Sequence, residues 1–221
     1  MSSVFIYLTI RFIAVVLLLR NSNTSVNAIG PLAIFTAGSI VSDGVCTVMI
    51  DMGMTTLHII NLYAIFELLI TTFFIFPIVK LNSTIQILYK SLAVLISVCI
   101  ALEMILKGLK YNPIELLGLA IILETVVSLL CCVKLAVKSP QQDSASPLKL
   151  WVFIGIFLYS ILCLIPAISY SLERSSDELE LINAYNYISV FGGNFIRDVC
   201  VGVYAVLVFR KNNKSVGPIT A

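Results

Sequence analysis

Charged side chains are scarce in this 221-residue chain. Asp, Glu, Lys and Arg together make up 12% of it, about half of the ~25% that is usual in a soluble domain. Apolar runs of about 20 residues recur instead, and ~20 helical residues cross the ~30 Å hydrocarbon core of a bilayer. The shortage of charge therefore excludes an ordinary soluble domain. Strand-like alternation with turn signals is also missing, which disfavours an outer-membrane barrel.

Residues that several catalytic sites require are missing as well. His58 is the only histidine, which disfavours a multi-histidine zinc hydrolase. The chain has no G-x-S-G loop of a rhomboid-like protease, no Walker-type phosphate loop and no lysine in its last apolar run for a retinal Schiff base. We therefore expect no catalytic residue of these kinds and no cofactor, although a carboxylate-only hydrolase stays open.

The cysteines do not form a loop framework or a metal-binding spacing. All six fall inside predicted helices, and Cys131-Cys132 is not a C-x-x-C pair. We expect small apolar packing residues, with neither disulfides nor a metal site. No basic run or aromatic-basic patch is present, so we expect no nucleic-acid partner.

The apolar runs predict an all-α, polytopic membrane protein. Residues 1–221 are expected to form a single seven-helix transmembrane bundle in a bacterial inner membrane, with the lipid bilayer as its partner. The predicted spans are about 3–20, 27–50, 56–79, 84–106, 113–136, 148–171 and 183–209.

Basic residues predict the orientation of this bundle, because Lys and Arg are enriched in cytoplasmic loops. Eight lie on the side of the C-terminus and three on the other, which places the N-terminus outside and the C-terminus in the cytoplasm. The eight are Arg20, Lys80, Lys134, Lys138, Lys149, Arg210, Lys211 and Lys214; the three are Lys107, Lys110 and Arg174. As an alternative for the N-terminus, Phe12–Leu19 followed by Val26-Asn27-Ala28 resembles a signal peptide, whose cleavage would leave six spans and remove Arg11.

Seven ionisable residues interrupt the apolar spans. A charge at the centre of a bilayer costs about 2.5–3.5 kcal/mol, so such residues normally face a bundle interior or a wet cavity. Five of them lie within about two residues of a span midpoint, while Asp43 and Glu103 lie in the outward half. Polar residues share their helix faces, as in the stripe Thr36, Ser39 and Asp43. The pattern predicts an outward-opening polar core; the seven are Arg11, Asp43, Glu67, Glu103, Glu124, Arg197 and Asp198.

The charges in this set do not balance. Two arginines face five carboxyls, so we expect some carboxyls to be protonated, with Glu67 or Glu124 the first choices. Arg197 is expected to fork to one carboxylate and Arg11 to serve another. Glu103 has a simpler interpretation as an i,i+4 pair with Lys107. Interhelical pairs that only fix packing are the alternative for the whole set.

One segment resembles a known family. Asn61-Leu62-Tyr63-Ala64-Ile65-Phe66-Glu67 is similar to the N-x-Y-x-x-x-E segment of small, functionally uncharacterised seven-span membrane proteins common in Bacteroidota. Asn183-Ala184-Tyr185, Asn194 and the basic end Phe209-Arg210-Lys211 resemble that family's last helix, and Asp43 stands where the family usually carries an acidic residue. The resemblance implies the fold and the membrane location and adds no reaction. Arg197-Asp198 is not part of the family pattern.

These observations predict a site that binds a ligand or a proton. The favoured function is binding or sensing of a small polar or lipid-derived ligand in a charged midplane cavity, with a separate signalling partner at the cytoplasmic face. A proton- or cation-coupled transporter and a carboxylate-based lipid enzyme are the alternatives. The predicted site residues are Arg11, Asp43, Asn61, Tyr63, Glu67, Glu124, Asn194, Arg197 and Asp198.

Overall fold

The described part of the chain is helical. The computed structural model describes residues 9, 11–13, 15, 16, 18, 29–54, 56–109, 111, 113–137, 146–172 and 179–215, and no strand occurs among them. Helical residues 9, 11–13, 15, 16 and 18 belong to the first element, α1. The others are α2 (Ile29–Asp51), α3 (Leu57–Ile70), α4 (Ser83–Lys107), α5 (Ile114–Val137), α6 (Ser146–Leu172) and α7 (Leu179–Ser215).

Among the described residues, six helices are long and apolar enough to cross a membrane, judged by their length and composition. Five of these elements begin and end within two residues of the predicted spans, when α3 is counted to Val79. The sixth, α7, begins four residues earlier than predicted and ends six residues later. Hydropathy missed the C-terminal extension because residues 210–215 are polar (Arg-Lys-Asn-Asn-Lys-Ser), although basic residues there suit a helix C-terminus through its dipole. The four added N-terminal residues, 179–182 (Leu-Glu-Leu-Ile), are mostly apolar, and the predicted start at 183 was wrong. The proposed cleavage site at 26–28 lies outside the described residues.

The third span is not one regular helix, as its apolar pattern had suggested. α3 gives way to a π-helical turn at Thr71–Ile75 and then to a 3₁₀ turn at Phe76–Val79. Pro77 explains the change, because it has no N–H and its ring clashes with the carbonyl four residues earlier. Lys80 then adopts a left-handed conformation, with φ of 52°, that ends the element. The site residues of α3 therefore lie directly before a change of helix type.

The helix that follows has clear ends. Asn82 caps α4, since its side-chain oxygen accepts a hydrogen bond from the Thr84 backbone N–H at 3.1 Å. Gly108, with φ of 92°, stands just beyond Lys107, where glycine commonly ends a helix. These local signals mark where α4 begins and ends.

α6 and α7 approach closely because glycine lies between them. A Cβ added at Gly155 would lie 2.7 Å from the Cβ of Cys200, and one added at Gly193 would lie 3.1 Å from the Tyr159 ring. Cys200 and the neighbouring Val201 are buried in the core. This close packing turns the same face of α7 inward and places the preceding Arg197 in the interior.

Candidate functional site: a buried ionic network

Two arginines lie at the centre of the protein. Arg11 in α1 is 1% exposed and Arg197 in α7 is 0% exposed. A buried guanidinium keeps its charge, so each arginine needs acceptors around it. The structure provides those acceptors from α2, α3 and α7.

Arg197 uses all three nitrogens of its guanidinium. Nη1 lies 2.9 Å from Glu67 Oε1, Nη2 donates to Ser39 Oγ at 2.7 Å, and Nε lies 3.2 Å from Asp198 Oδ1. The guanidinium also lies 4.6 Å from the Phe35 ring centroid and 4.5 Å from that of Tyr159. Cation–π contacts of this kind suit a desolvated guanidinium. Three of the five N–H groups of Arg197 are therefore engaged by acceptors of the protein itself.

Arg11 joins the same network. Its Nη1 pairs with Asp43 Oδ2, its Nη2 donates to Ser39 Oγ, and its Nε pairs with Asp198 Oδ2. Asp198 thus bridges the two arginines through its two oxygens, and Ser39 accepts from both. α1, α2 and α7 are joined by these contacts.

Glu67 is held at both carboxylate oxygens. Oε1 faces Arg197, while Oε2 accepts a hydrogen bond from the Tyr159 hydroxyl at 2.9 Å. Glu67 is 7% exposed, so the charge-assisted hydrogen bonds replace water around it. Arg197 meets Glu67 through the single Nη1–Oε1 contact, so the predicted pairing of Arg197 with a carboxylate is confirmed, but not as a two-point fork.

Glu124 is different from the other three carboxyls. Its Oε1 lies 2.8 Å from Thr71 Oγ1, which also lies 2.8 Å from the Glu67 carbonyl oxygen and 3.1 Å from that of Leu68. A threonine hydroxyl has one hydrogen to donate. No Lys, Arg or His within the described ranges forms an ion pair with Glu124, which is 5% exposed. Thr71 is the first residue of the π-helical turn, so Glu124 meets α3 where the helix type changes.

Of the remaining predicted residues, Tyr63 and Asn194 lie one helical turn from members of the network, whereas Asn61 has a partner elsewhere. Tyr63 lies one turn before Glu67 and its ring is 6.1 Å from that of Phe66. Asn194 lies one turn before Asp198, is 4% exposed, and its amide oxygen has no hydrogen-bond partner in the described part of the chain. Asn61 does not join the network, because its Nδ2 donates to the Tyr111 carbonyl at 2.8 Å.

Glu103 stands apart from the network. It pairs with Lys107 at 2.9 Å on the exposed side of α4, which confirms the simple i,i+4 interpretation. Of the seven interrupting charges, five are buried, Asp43 is partly exposed, and Glu103 lies on the surface with Lys107. Asp43 joins the network through Arg11 and keeps its side chain 22% exposed; its predicted place in the outward half stays a prediction.

Sequence reasoning overlooked one member of the network. Tyr159 donates to Glu67 and stacks near Arg197, yet it was not among the predicted site residues. Its position was a usable signal, because it stands at the midpoint of the predicted span 148–171. Ser39 lies on the polar face noted for the second span, and Thr71 follows Glu67 by one helical turn; neither was assigned a role, and the structure assigns contacts to both.

The network contains carboxyls, guanidiniums and hydroxyls. No group of three or more His, Cys, Asp or Glu side chains in the described ranges is placed to hold a metal ion. Comparison with known proteins found no match among family models, curated proteins or solved structures. The resemblance to the Bacteroidota family thus stays a prediction, and the geometry of the network is the basis for any statement about function.

Proposed function

We propose that this chain is a multi-pass integral membrane protein of a bacterial inner membrane, a seven-helix bundle with its N-terminus outside. The six long apolar helices support this location. Large apolar side chains on the outer faces support it too: Ile87, Ile105 and Leu106 of α4 are 67%, 75% and 81% exposed. Soluble monomers rarely expose apolar area on this scale, and a bilayer would cover it.

Within that membrane protein, the ionic network binds a proton or a small cation. Glu124 carries this proposal, because it is a buried carboxyl with a hydroxyl neighbour and no cationic partner in the described ranges. The whole set points the same way, since four carboxyls (Asp43, Glu67, Glu124 and Asp198) stand against two arginines. A buried carboxylate without a counter-charge is costly, and a bound proton or cation balances it.

The arginines argue against an anionic ligand. Arg197 already contacts Glu67, Ser39 and Asp198 with its three nitrogens. A lipid-derived carboxylate or phosphate would compete with these protein acceptors and would add negative charge to a network in which four carboxyls already face two arginines. Among the small polar ligands expected from the sequence, a cationic one therefore fits the network best.

A sensing role is supported by α7. This helix carries Arg197 and Asp198 and runs without a break to Ser215, past the basic residues Arg210 and Lys211. A continuous helix transmits a shift at the network to its own end. In the proposed orientation that end is cytoplasmic, where a separate signalling partner would read the shift.

Transport coupled to a proton or cation is the second candidate, and the break in α3 favours it. Transporters often build their ion sites from interrupted helices near the midplane. Here the π-helical turn begins at Thr71, the residue that contacts Glu124. A binding event at Glu124 would thus act directly on an irregular segment.

Measurements on purified protein test which ligand binds at Glu124 and whether the protein is a sensor or a transporter. Sodium, potassium and methylammonium chloride are each exchanged for choline chloride at constant ionic strength, while the thermal unfolding midpoint is recorded. Bound cation raises the midpoint of the wild type by mass action. A bound proton instead produces the infrared carbonyl band of a neutral carboxyl. Glu124→Gln is expected to lose whichever signal the wild type shows.

Glu103→Gln is the matched control, since it removes the same group from the exposed pair with Lys107. It is expected to keep the wild-type signal. Proteoliposomes then separate the roles: uptake of the identified cation, or of protons followed by an entrapped dye, indicates a transporter, and binding without uptake indicates a sensor. A wild type with neither a salt response nor a neutral-carboxyl band at Glu124 would overturn the proposed ligand class.

A further inference from the structure

Lys90 is an additional charge inside a predicted span that the ionic network does not use. It lies on α4, seven residues after Ser83, or about 10 Å along the helix axis. It is partly buried, and none of the described acidic residues lies within ion-pair distance of it. Lys107 at the other end of the same helix has such a partner in Glu103. The Lys90 ammonium lies near the Phe73 ring, 5.8 Å from its centroid.

This lysine stands at one end of a groove on the outside of the protein. The groove is shallow and open, with a volume of about 500 Å³. Along α4 the polar lining residues Lys90 and Ser91 come first and the apolar ones follow. The helix rises about 12 Å from Lys90 to Val98. The lining residues are Phe73, Lys90, Ser91, Val94, Leu95 and Val98.

The direction of the groove follows from helix geometry. Side chains on a helix lean toward its N-terminus, so Lys90 leans toward Ser83 and the nearer end of α4. The long, flexible stem of a lysine allows its ammonium to extend toward a membrane surface while the stem stays on apolar surface. Leu95 is near the centre of the 25-residue helix, so the apolar part of the groove points to the middle of a bilayer.

We propose that this groove binds an anionic phospholipid of the surrounding bilayer, with its phosphate at Lys90 and one acyl chain along Val94, Leu95 and Val98. The ammonium supplies the counter-charge that an anionic headgroup needs. The exposed valines and leucine (Val94 43%, Leu95 59%, Val98 49%) supply apolar surface below it. The site rests on the proposed membrane location and is independent of the ligand proposed for Glu124.

Native mass spectrometry of the whole protein tests this site. Detergent-purified protein is incubated with phosphatidylglycerol or phosphatidylcholine of the same acyl chains, and retained lipid is counted. The wild type is expected to retain phosphatidylglycerol about tenfold better, a difference of about 1.4 kcal/mol. Lys90→Gln removes the charge and is expected to abolish this preference. Val98→Trp fills the apolar end and is expected to lower retention of both lipids.

Lys107→Gln is the control, because it removes a lysine of the same helix that already has an acidic partner. It should keep the preference. Equal retention of the two lipids by the wild type, an unchanged preference in Lys90→Gln, or an equal loss in Lys107→Gln would each overturn the lipid site. The Glu124 signal would survive all three results. A wild type that does not sediment with membranes would instead contradict the location on which both proposals depend.

Discussion

Glu67 and Glu124 are both buried glutamates, and their neighbours make them unequal. Glu67 faces a guanidinium and a tyrosine hydroxyl, whereas Glu124 faces the hydroxyl of Thr71. Breaking a buried ion pair by removing one partner costs about 3–5 kcal/mol. A glutamine at position 124 would still accept a hydrogen bond from the Thr71 hydroxyl through its amide oxygen.

We predict that Glu67→Gln lowers the free energy of unfolding by about 3–5 kcal/mol, because it leaves Arg197 with less counter-charge. Glu124→Gln is its matched control and is expected to cost less than about 1 kcal/mol, the scale of one neutral hydrogen bond. Unfolding in mixed detergent micelles measures both, and membrane-fraction yields show that each variant inserts. Equal losses in the two variants would contradict the assignment of Glu67 as the ionised partner.

How much of the site the sequence predicted depends on residue type. The sequence predicts a carboxylate partner for Arg197, because an unpaired charge in an apolar helix has a large energetic cost. Tyr159 was not assigned a role, because a tyrosine is tolerated in an apolar helix without a specific partner. Asn61 was assigned to the site from a motif, and motif spacing does not report which neighbour an amide meets.

At the scale of the helix, glycine content decides which pairs approach. Gly155 of α6 lies against Cys200 and the backbone of Arg197, whereas a Cβ added at Gly192 of α7 would meet no atom of the described chain within 4 Å. Close approach of helix backbones through small residues is a main source of packing between apolar helices. The contact at Gly155 also fixes the position of the Arg197 backbone relative to the partners of its guanidinium.

Gly155→Ala is therefore expected to destabilise the protein, because its Cβ would stand 2.7 Å from that of Cys200 and 3.2 Å from the Arg197 carbonyl oxygen. Overpacking of this kind costs about 1–3 kcal/mol. Gly192→Ala is the control and is expected to be stabilising by up to about 1 kcal/mol through helix propensity. Thermal unfolding of the two variants measures the difference. A Gly155→Ala midpoint at or above that of Gly192→Ala would refute the close contact.

Helices were predicted better than their irregularities. Apolar runs located α2, α4, α5 and α6 within two residues, because ~20 apolar residues form a distinct signal. The π-helical turn at Thr71–Ile75 was missed, since its residues are as apolar as those of the helix before it. Pro77 was the available warning, yet it marks a break without specifying the turn that precedes it.

At the scale of the whole molecule, α7 connects the ionic network to a distant end of the same helix. Its 37 residues correspond to about 55 Å of helix, well beyond the ~30 Å of hydrocarbon. The helix therefore extends past the apolar segment Gly192–Arg210 at both ends. Asp198 lies inside that segment and Lys214 outside it, on one continuous helix.

The proposed orientation makes Lys214 cytoplasmic and the turn between α2 and α3 external, because basic residues favour the cytoplasmic side. The test uses single cysteines in a variant whose six natural cysteines are replaced by alanine. Lys214→Cys is expected to react with a membrane-impermeant maleimide in inside-out vesicles and to be protected in right-side-out vesicles. Met54→Cys, at an exposed position of the turn, is expected to show the opposite pattern. The reverse result at both positions would invert the bundle, put the basic end of α7 outside, and thereby contradict a cytoplasmic partner as the reader of the ionic network.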